Sequence, residues 1–186
     1  MNQGKTDLSS FNNTWYSPGA SFLKRGLWYC INAAFFSSKF PINGIKVFLL
    51  RLFGSKVGRA VVIKPSVNIK YPWLLEIGDY TWIGEYAWID NLTHVKIGAH
   101  CCISQGAMLL TGNHNYKKSS FDLITGKIIL EDGTWIGAKA VVCPGVVCHS
   151  HSLLTVGSVA THHLDAYGIY QGNPAVKVRD RKINGN

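Results

Sequence analysis

The sequence predicts an all-β fold, a parallel β-helix built from six-residue repeats behind a short helical or irregular cap. Three observations lead to this prediction. An aliphatic or small apolar residue, named the anchor, recurs at every sixth position through most of residues 57–162. A glycine often follows the anchor, and a small or β-branched residue stands four places after it. These three sets of positions, the columns of the repeat, keep the same spacing on both sides of an interruption. They therefore indicate one repeating structural unit.

The anchors supply the predicted core. They are Val57, Ile63, Ile69, Leu75, Ile77, Ile83, Ile89, Val95, Ile97, Ile103, Leu109, Leu130, Ile136, Val142, Cys148, Leu154 and Ala160. We interpret each unit as a short strand and a sharp turn, with three units per coil and about five coils in all. A two-residue slip between Leu75 and Ile77, repeated between Val95 and Ile97, predicts a bulge at one corner. The alternative is an ordinary β-sandwich whose turns recur every six residues by coincidence.

Glycine follows the anchor at several coils. The examples are Gly58, Gly78, Gly84, Gly98 and Gly137. We expect these glycines to adopt the turn conformations that β-branched side chains resist.

The repeat divides the chain into three parts. Residues 1–56 are predicted to form an N-terminal cap region. Residues 57–166 form the β-helix, with an inserted loop at 110–129, and residues 167–186 form a C-terminal tail that contains a basic strand or helix.

The cap region differs in character from the repeats. Residues 21–53 are rich in Phe and Leu and predict two short helical or irregular segments, broken at Pro41 and Gly44. They are expected to cover the open end of the β-helix, where strand edges are otherwise unpaired. The alternative is an amphipathic patch that rests on the inner membrane surface. Basic residues interspersed in this segment are Lys24, Arg25, Lys39, Lys46 and Arg51.

Composition limits the partners and the location. Lys and Arg number 19 against 10 Asp and Glu, an excess that favours anionic partners such as phosphate groups, anionic lipid or nucleic acid. Five cysteines without a C-x-x-C pair indicate reduced thiols in a cytoplasmic protein, not a disulfide framework or a zinc module. The N-terminus has no signal-peptide pattern, and the apolar run at 27–36 is too short to span a membrane.

The repeat is interrupted between Leu109 and Leu130 by a polar segment that we expect to project from the coils. Long excursions from a regular scaffold are often functional. His114 lies at the base of this segment, shortly before the aromatic residue Tyr116. The position singles out His114 from the other six histidines, which we interpret as corner or surface residues.

Four stretches, TGNHNY, DGTWIGAKAVVCPGV, VGSVATHH and GNPAVKVR, carry a family resemblance. They resemble the hexapeptide-repeat acyltransferases, above all the colanic-acid-biosynthesis acetyltransferase type and, beyond it, the maltose and galactoside O-acetyltransferases. The resemblance covers about residues 10–182. It implies a left-handed β-helix, a homotrimer with active sites between subunits, and acetyl-CoA as co-substrate without a metal. It also implies transfer of the acetyl group to a sugar hydroxyl in exopolysaccharide or surface-polysaccharide biosynthesis.

By position, the resemblance assigns the catalytic base to His114. A neutral imidazole can accept the proton of a hydroxyl that attacks a thioester, and a backbone N–H can stabilise the oxyanion that forms. Direct transfer requires no enzyme nucleophile, so Cys143 and Cys148, which stand in scaffold columns, are interpreted as packing residues. Asn115 follows the histidine where close relatives have Asp, so any acidic partner of His114 must come from elsewhere.

The resemblance also assigns binding residues. On the cofactor side these are Trp135, Ala138, Val156, Gly157, Thr161, His162, Lys177 and Arg179. On the acceptor side the candidates are Glu85, Asp90, Asn91 and again Trp135. Trp135 has a second interpretation, because Trp82 and Trp88 also precede anchors and all three can simply cover coil faces.

The sequence is also compatible with three other functions. A metal enzyme of the γ-carbonic-anhydrase type would need three histidines that converge across subunits; His149 and His151 have no Cys or carboxylate at ligand spacing. A non-catalytic scaffold or membrane-surface binding module would use the basic N-terminal region and bind no CoA. Nucleic-acid binding rests on charge alone and ranks last, because the basic residues are scattered.

Overall fold

The computed structural model describes residues 4–184 and forms a parallel β-helix with three faces. The first face contains β1 (Lys56–Val57), β4 (Leu75–Ile77), β7 (Val95–Ile97), β12 (Ile128–Leu130) and β15 (Val147–Cys148). The second face contains β2 (Val62–Ile63), β5 (Trp82–Ile83), β8 (Cys102–Ile103), β13 (Trp135–Ile136), β16 (Leu153–Leu154), β18 (Gly168–Gly172) and β19 (Ala175–Asp180). The third face contains β3 (Asn68–Ile69), β6 (Trp88–Asp90), β9 (Met108–Leu110), β14 (Val141–Val142) and β17 (Val159–Ala160).

The anchor column is confirmed as the core. Every anchor from Ile63 to Ala160 is buried, and Val57, in the first coil, is half-buried. The strand register places anchors directly above one another, as in the row Ile63, Ile83 and Ile103 on the second face. Each coil therefore buries its apolar side chains between two neighbours, the physical reason for the period.

The two-residue slip has a different cause from the corner bulge that the sequence suggested. Leu75 and Ile77 both belong to β4, and both point into the core while Glu76 between them faces outward. The same alternation occurs at Val95 and Ile97 in β7. The two additional residues therefore lengthen the strands of the first face.

The glycine column also has a different cause from the one expected. A Cβ atom on Gly78 would lie 2.5 Å from the backbone nitrogen of Ala99 in the next coil, and one on Gly137 would lie 2.6 Å from that of Val156. Left-handed backbone occurs instead at residues such as Ala60, Tyr80 and His100. Close contact between coils, not turn conformation, requires glycine after the anchor.

The N-terminal helices cover the first coil. Helix α1 spans Phe22–Ile31, a π-helical turn spans Asn32–Phe36, and helix α2 spans Asn43–Leu52. Trp28 is buried and donates its indole N–H to the carbonyl oxygen of Ile69 at 2.8 Å. Phe36, Leu50 and Phe53 join the same buried cluster. The helices thus continue the core of the β-helix past its open end. Short 3₁₀ turns at Leu8–Ser10 and Pro72–Leu74 complete the helical segments of the described chain.

The C-terminal residues extend the coil stack to about six turns. Leu164 bridges Cys148 on the first face, and β18 pairs in parallel with β16. The chain then reverses, so that β19 pairs antiparallel with β18 and forms the edge of the second face. No helix in the described part of the chain has both the length and the apolar character needed to cross a bilayer.

Candidate active site

The inserted segment folds as a β-hairpin. Strand β10 (Gly112–His114) pairs antiparallel with β11 (Leu123–Thr125), and His114 lies opposite Leu123. The hairpin leaves the β-helix after β9 on the third face and returns to β12 on the first face. His114 therefore stands on an ordered strand, at the corner between these two faces.

The imidazole of His114 is held by Phe121 in two ways. Its Nδ1 atom lies 2.8 Å from the carbonyl oxygen of Phe121, and its ring stacks on the Phe121 ring with centroids 4.5 Å apart and planes 7° apart. A carbonyl oxygen only accepts hydrogen bonds, so Nδ1 must carry the proton in the neutral ring. Nε2 then has a free lone pair, the form that a general base requires.

Phe121 has a backbone conformation that is unusual for a bulky residue. Its φ angle is +53°, in the left-handed region. Such a conformation persists only where surrounding structure imposes it, and it clusters at functional sites. Here it accompanies the contact between the Phe121 carbonyl oxygen and His114.

Asn115 does not replace the missing acidic partner. Its side-chain oxygen accepts from the backbone N–H of Lys117, and its own N–H donates to the carbonyl oxygen of Asp122. Asp122 pairs with Lys118 at 3.0 Å, and hydrogen bonds from Ser120 and Lys118 hold the pKa of its carboxyl below the usual range. Both residues therefore stabilise the hairpin tip.

The N-terminal segment crosses the hairpin and reaches the histidine. The Phe11 ring centroid lies 5.9 Å from that of His114. The Asp7 N–H donates to the carbonyl oxygen of Ser119, and the Tyr16 hydroxyl donates to that of Leu92 at 2.9 Å. Neither Phe11 nor Phe121 was identified from sequence, since both lie outside the repeat; the sequence pointed to Tyr116, which is 76% exposed.

The turns between the second and third faces form one edge of the molecule, the second corner (Glu85, Gln105, Ala138 and Gly157). Backbone hydrogen bonds link these turns into a ladder, with N···O distances of 2.8–2.9 Å. The N–H groups of Gly106, Lys139 and Gly157 donate to the carbonyl oxygens of Glu85, Gln105 and Ala138, respectively. Val156 is 70% exposed beside Gly157. The structure thus places one acceptor candidate and three cofactor candidates along this edge.

Trp135 lies on the second face, next to that corner. Its indole is 43% exposed, and its Nε1–H donates to the Ser104 hydroxyl at 2.9 Å. Trp82 occupies the equivalent outward position on β5 and is 57% exposed. The Ser104 bond orients Trp135 on an open surface, which suits contact with a ligand and equally suits coverage of the coil face.

The edge between the third and first faces, the third corner (Asp90, Asn91, Thr161 and His162), carries other candidates. Asp90 pairs with Lys70 at 2.8 Å. Asn91 is fully buried; its amide oxygen accepts from the Tyr71 N–H and its amide nitrogen donates to the Tyr71 carbonyl. Asn91 therefore links two coils, and its buried side chain offers no atom to an acceptor, which corrects its assignment as a direct acceptor contact.

The remaining cofactor candidates lie late in the chain. Thr161 and His162 are exposed, and the Thr161 hydroxyl is 2.9 Å from Nδ1 of His162. Lys177 and Arg179 are on β19. Lys177 lies 2.9 Å from Asp180, whose carboxylate raises the pKa of the ammonium. Lys177 is therefore already neutralised by an acidic neighbour, whereas Arg179 forms no ion pair in the described chain.

A cavity of about 660 Å³ lies between helix α1 and the third face. Arg25 and Tyr29 line it from the helix, and Lys70, Trp88 and Asp90 line it from the coils. Aromatic rings beside charged groups suit a sugar, which presents apolar faces and hydroxyls. Asp90 thus connects the third corner to this cavity.

The predicted residues do not meet within the chain. His114, Asp90, Thr161 and His162 belong to the third corner, while Glu85, Ala138, Val156 and Gly157 belong to the second. The chain therefore presents the predicted base on one edge and much of the predicted cofactor groove on another.

Several other reactive side chains are buried in the core or paired with a neighbouring residue. Burial raises the pKa of the Cys101 thiol to about 11 and that of Cys148 to about 12, so neither is a ready nucleophile. His149 lies 3.1 Å from a carboxylate oxygen of Glu131, a partner that the sequence spacing did not reveal. Within residues 4–184, no three His, Cys, Asp or Glu side chains group closely enough to hold a metal ion.

Comparison with known sequences gives the following relatives. No family model matches the chain. It is 37% identical over 176 residues to the putative colanic acid biosynthesis acetyltransferase WcaF of Escherichia coli K12. The matched residues make up 94% of this chain and 97% of the relative. It is 24% identical over 135 residues to the galactoside O-acetyltransferase of the same strain, covering 71% of this chain and 66% of the relative.

Solved structures share the fold. A hexapeptide-repeat acetyltransferase of Vibrio cholerae, in complex with acetyl coenzyme A, superposes with a TM-score of 0.79 at 24% identity, covering 89% of this chain and 92% of the other. A galactoside acetyltransferase in complex with coenzyme A superposes with a TM-score of 0.76 at 21% identity, covering 86% and 82%. The β-helix described above is therefore the left-handed form.

Proposed function

The chain belongs to the hexapeptide-repeat acetyltransferases, and from this premise we propose that it moves an acetyl group from acetyl-CoA to a hydroxyl of a sugar acceptor, with His114 as general base. The observation that carries the proposal is the pairing of Nδ1 of His114 with the Phe121 carbonyl oxygen at 2.8 Å, which leaves Nε2 as the basic atom. We place the reaction in the cytoplasm, where five unpaired cysteines suit the reducing conditions.

The proposed chemistry is a direct transfer. Nε2 of His114 accepts the proton of the acceptor hydroxyl while the hydroxyl oxygen attacks the thioester carbonyl. A backbone N–H stabilises the negative charge on the former carbonyl oxygen. The imidazolium then returns the proton to the departing thiolate. Phe121 supports both steps, because its carbonyl oxygen stays hydrogen-bonded to Nδ1–H whether the ring is neutral or protonated.

We propose that the active site lies between protomers of a homotrimer. The support is the separation of the candidates: His114 is on the third corner, while Ala138, Val156 and Gly157 line the second. A neighbour whose second corner approached this third corner would bring the two sets together, and a cyclic arrangement would repeat the contact at every interface. The remaining cofactor residues would then be Trp135, Thr161, His162, Lys177 and Arg179.

The acceptor is proposed to be a sugar used in exopolysaccharide or surface-polysaccharide assembly. Two relatives support this class, since one is named for colanic acid biosynthesis and one for galactoside acetylation. The cavity bordered by Asp90, Trp88 and Lys70 also suits a sugar, because it combines an aromatic ring with charged hydrogen-bonding groups. Glu85 and Trp135 are exposed and available to contact an acceptor, whereas Asn91 would act through its bonds to Tyr71.

The test compares His114→Ala with His100→Ala. The His100 side chain is exposed and lies between the first and second faces, outside the proposed site, so it controls for loss of an imidazole. Thiol release from acetyl-CoA is measured across a panel of sugars, nucleotide sugars and oligosaccharides. We expect His114→Ala to lower kcat by about 10² to 10⁴ with unchanged affinity for CoA by calorimetry, while His100→Ala keeps full activity.

Two results would contradict the proposal. Full activity of His114→Ala would exclude this residue as the base. Absence of CoA binding by the wild-type protein would favour a non-catalytic scaffold. Mass measurement of both variants by light scattering tests whether the assembly is a trimer and stays intact.

A further inference from the structure

Helix α1 presents an apolar face to solvent. Its exposed side chains include Phe22, Leu23, Leu27 and Tyr29, which are 78%, 80%, 58% and 76% exposed. The other exposed residues of the helix are Gly26 and Cys30, so none of its exposed residues is charged. Such a surface on a water-facing helix marks an interaction site.

Helix α2 has the same inverted character. Phe48 and Leu52 are 62% and 63% exposed, while Lys46 is fully buried and donates its Nζ–H to the Lys64 carbonyl oxygen at 2.8 Å. Lys46 is one of the basic residues interspersed in residues 21–53, and its burial removes it from the charged surface of the cap. An ordinary surface helix buries its apolar residues and exposes its charged ones, whereas α2 buries a lysine and exposes aromatic and aliphatic residues.

The net charge of the protein is concentrated around this cap. Residues 8–75 contain nine Lys and Arg and no Asp or Glu, so the rest of the chain has 19 − 9 = 10 basic residues against all 10 acidic ones. The basic residues are therefore clustered, which corrects the scattered distribution described in the sequence analysis. Three of the nine pair with carboxylates of the second coil, and Lys46 is buried. The five without an ion pair in the described chain are Lys24, Arg25, Lys39, Arg51 and Lys64.

We propose that the outward faces of α1 and α2, the cap face (Phe22, Leu23, Leu27, Phe48 and Leu52), attach the protein peripherally to an anionic lipid membrane. Phenyl and aliphatic side chains insert at the boundary between headgroups and acyl chains, and flanking cations contact the lipid phosphates. Lys24 and Arg25 supply cations beside these apolar side chains: both are half-buried on α1, with Nζ of Lys24 5.0 Å from the Trp73 ring centroid and the guanidinium of Arg25 6.0 Å from that of Phe22.

The positive charge around the cap face favours an anionic membrane over a second copy of the chain as its binding partner. Two cap faces that met each other would bring two uncompensated sets of five cations together, which like-charge repulsion opposes. An anionic bilayer supplies both the missing negative charge and an apolar phase. Phe36 and Leu50 hold the helices on the first coil from inside, so that attachment requires no rearrangement of the core.

The test measures co-sedimentation of the 186-residue protein with vesicles. One set contains phosphatidylcholine alone, and the other contains equal parts of phosphatidylcholine and phosphatidylglycerol. We expect the protein to bind the anionic vesicles, and to bind them less as salt rises. The triple variant Phe22→Gln, Leu23→Gln, Leu27→Gln should lower the apparent partition coefficient at least about tenfold, because large apolar side chains lose their favourable transfer.

Charge variants test the second half of the proposal. Lys24→Gln and Lys39→Gln should each weaken binding to anionic vesicles about fivefold. The matched controls are Val176→Gln, whose side chain is 60% exposed on β19, and Lys127→Gln with Lys139→Gln, which remove exposed cations outside the cap. These controls should bind as wild type does. Circular dichroism checks that every variant keeps its fold.

Three outcomes would overturn the proposal. They are no binding to either vesicle, equal binding to both, or a triple variant that binds normally. A fall in the mass of the triple variant by light scattering, without vesicle binding by the wild type, would instead identify the cap face as a contact between copies. No acetyl donor or acceptor enters the experiment, so its failure leaves the proposed acetyl transfer untouched.

Discussion

The contact between Phe121 and His114 leads to a quantitative prediction for Phe121→Gly. This change removes a ring that stacks on the imidazole with centroids 4.5 Å apart, but keeps the backbone carbonyl oxygen that accepts from Nδ1. Aromatic pairs of this kind contribute about 0.5–1.5 kcal/mol beyond area burial, so loss of that orientation should lower kcat by about two- to thirteenfold.

The same change should have little effect on stability. The φ angle of Phe121 is +53°, which glycine adopts without the steric cost of about 1–2 kcal/mol that other residues bear. This gain offsets the lost contacts of a half-buried ring. The KM for acetyl-CoA should also stay unchanged, because the Phe121 ring stacks on His114 and is not among the residues proposed to bind the cofactor.

Steady-state kinetics and thermal unfolding of three proteins test this reasoning. Phe121→Tyr keeps the ring and should retain nearly wild-type kcat, whereas Phe121→Gly should show the loss in kcat alone. If Phe121→Gly matches the wild type, stacking does not orient His114 for the proposed reaction. If Phe121→Tyr loses as much as Phe121→Gly, the ring is not the relevant feature, and the positioning role assigned to it is wrong.

Two further predictions concern stability. Leu109→Ala removes a fully buried anchor and should lower the free energy of unfolding in guanidinium by about 2–5 kcal/mol, whereas Met108→Ala, at a 36% exposed neighbour, should cost less than about 1 kcal/mol; equal losses would contradict the anchor assignment. The hydrogen bond from His149 lowers the pKa of the Glu131 carboxyl below its usual range, so its contribution to stability is present above the usual pKa of a glutamate and is lost as pH falls through the lowered value. Glu131→Gln should therefore cost up to about 1 kcal/mol at neutral pH and nothing in acid, measured by thermal unfolding at both pH values; an equal cost at both would refute the linkage.

The sequence by itself determined the scaffold, because the contacts that stabilise a β-helix recur at a constant separation along the chain. Ile83 meets Ile63 and Ile103 in the neighbouring coils, so one apolar column encodes the whole core. The interruption by a hairpin was visible for the same reason, as a break in that column. His114 became a candidate through its place at this break and through family resemblance.

Only the tertiary structure decided what holds the histidine. Phe121 and Phe11 approach His114 from the hairpin and from the N-terminal segment, and neither belongs to the repeat that makes distant contacts readable. The orientation of the cap helices is a similar case, since an apolar residue such as Leu27 or Trp28 fits either face of α1 by composition. Packing on the first coil buries Trp28 and leaves Leu27 in solvent, because the indole N–H reaches the Ile69 carbonyl oxygen.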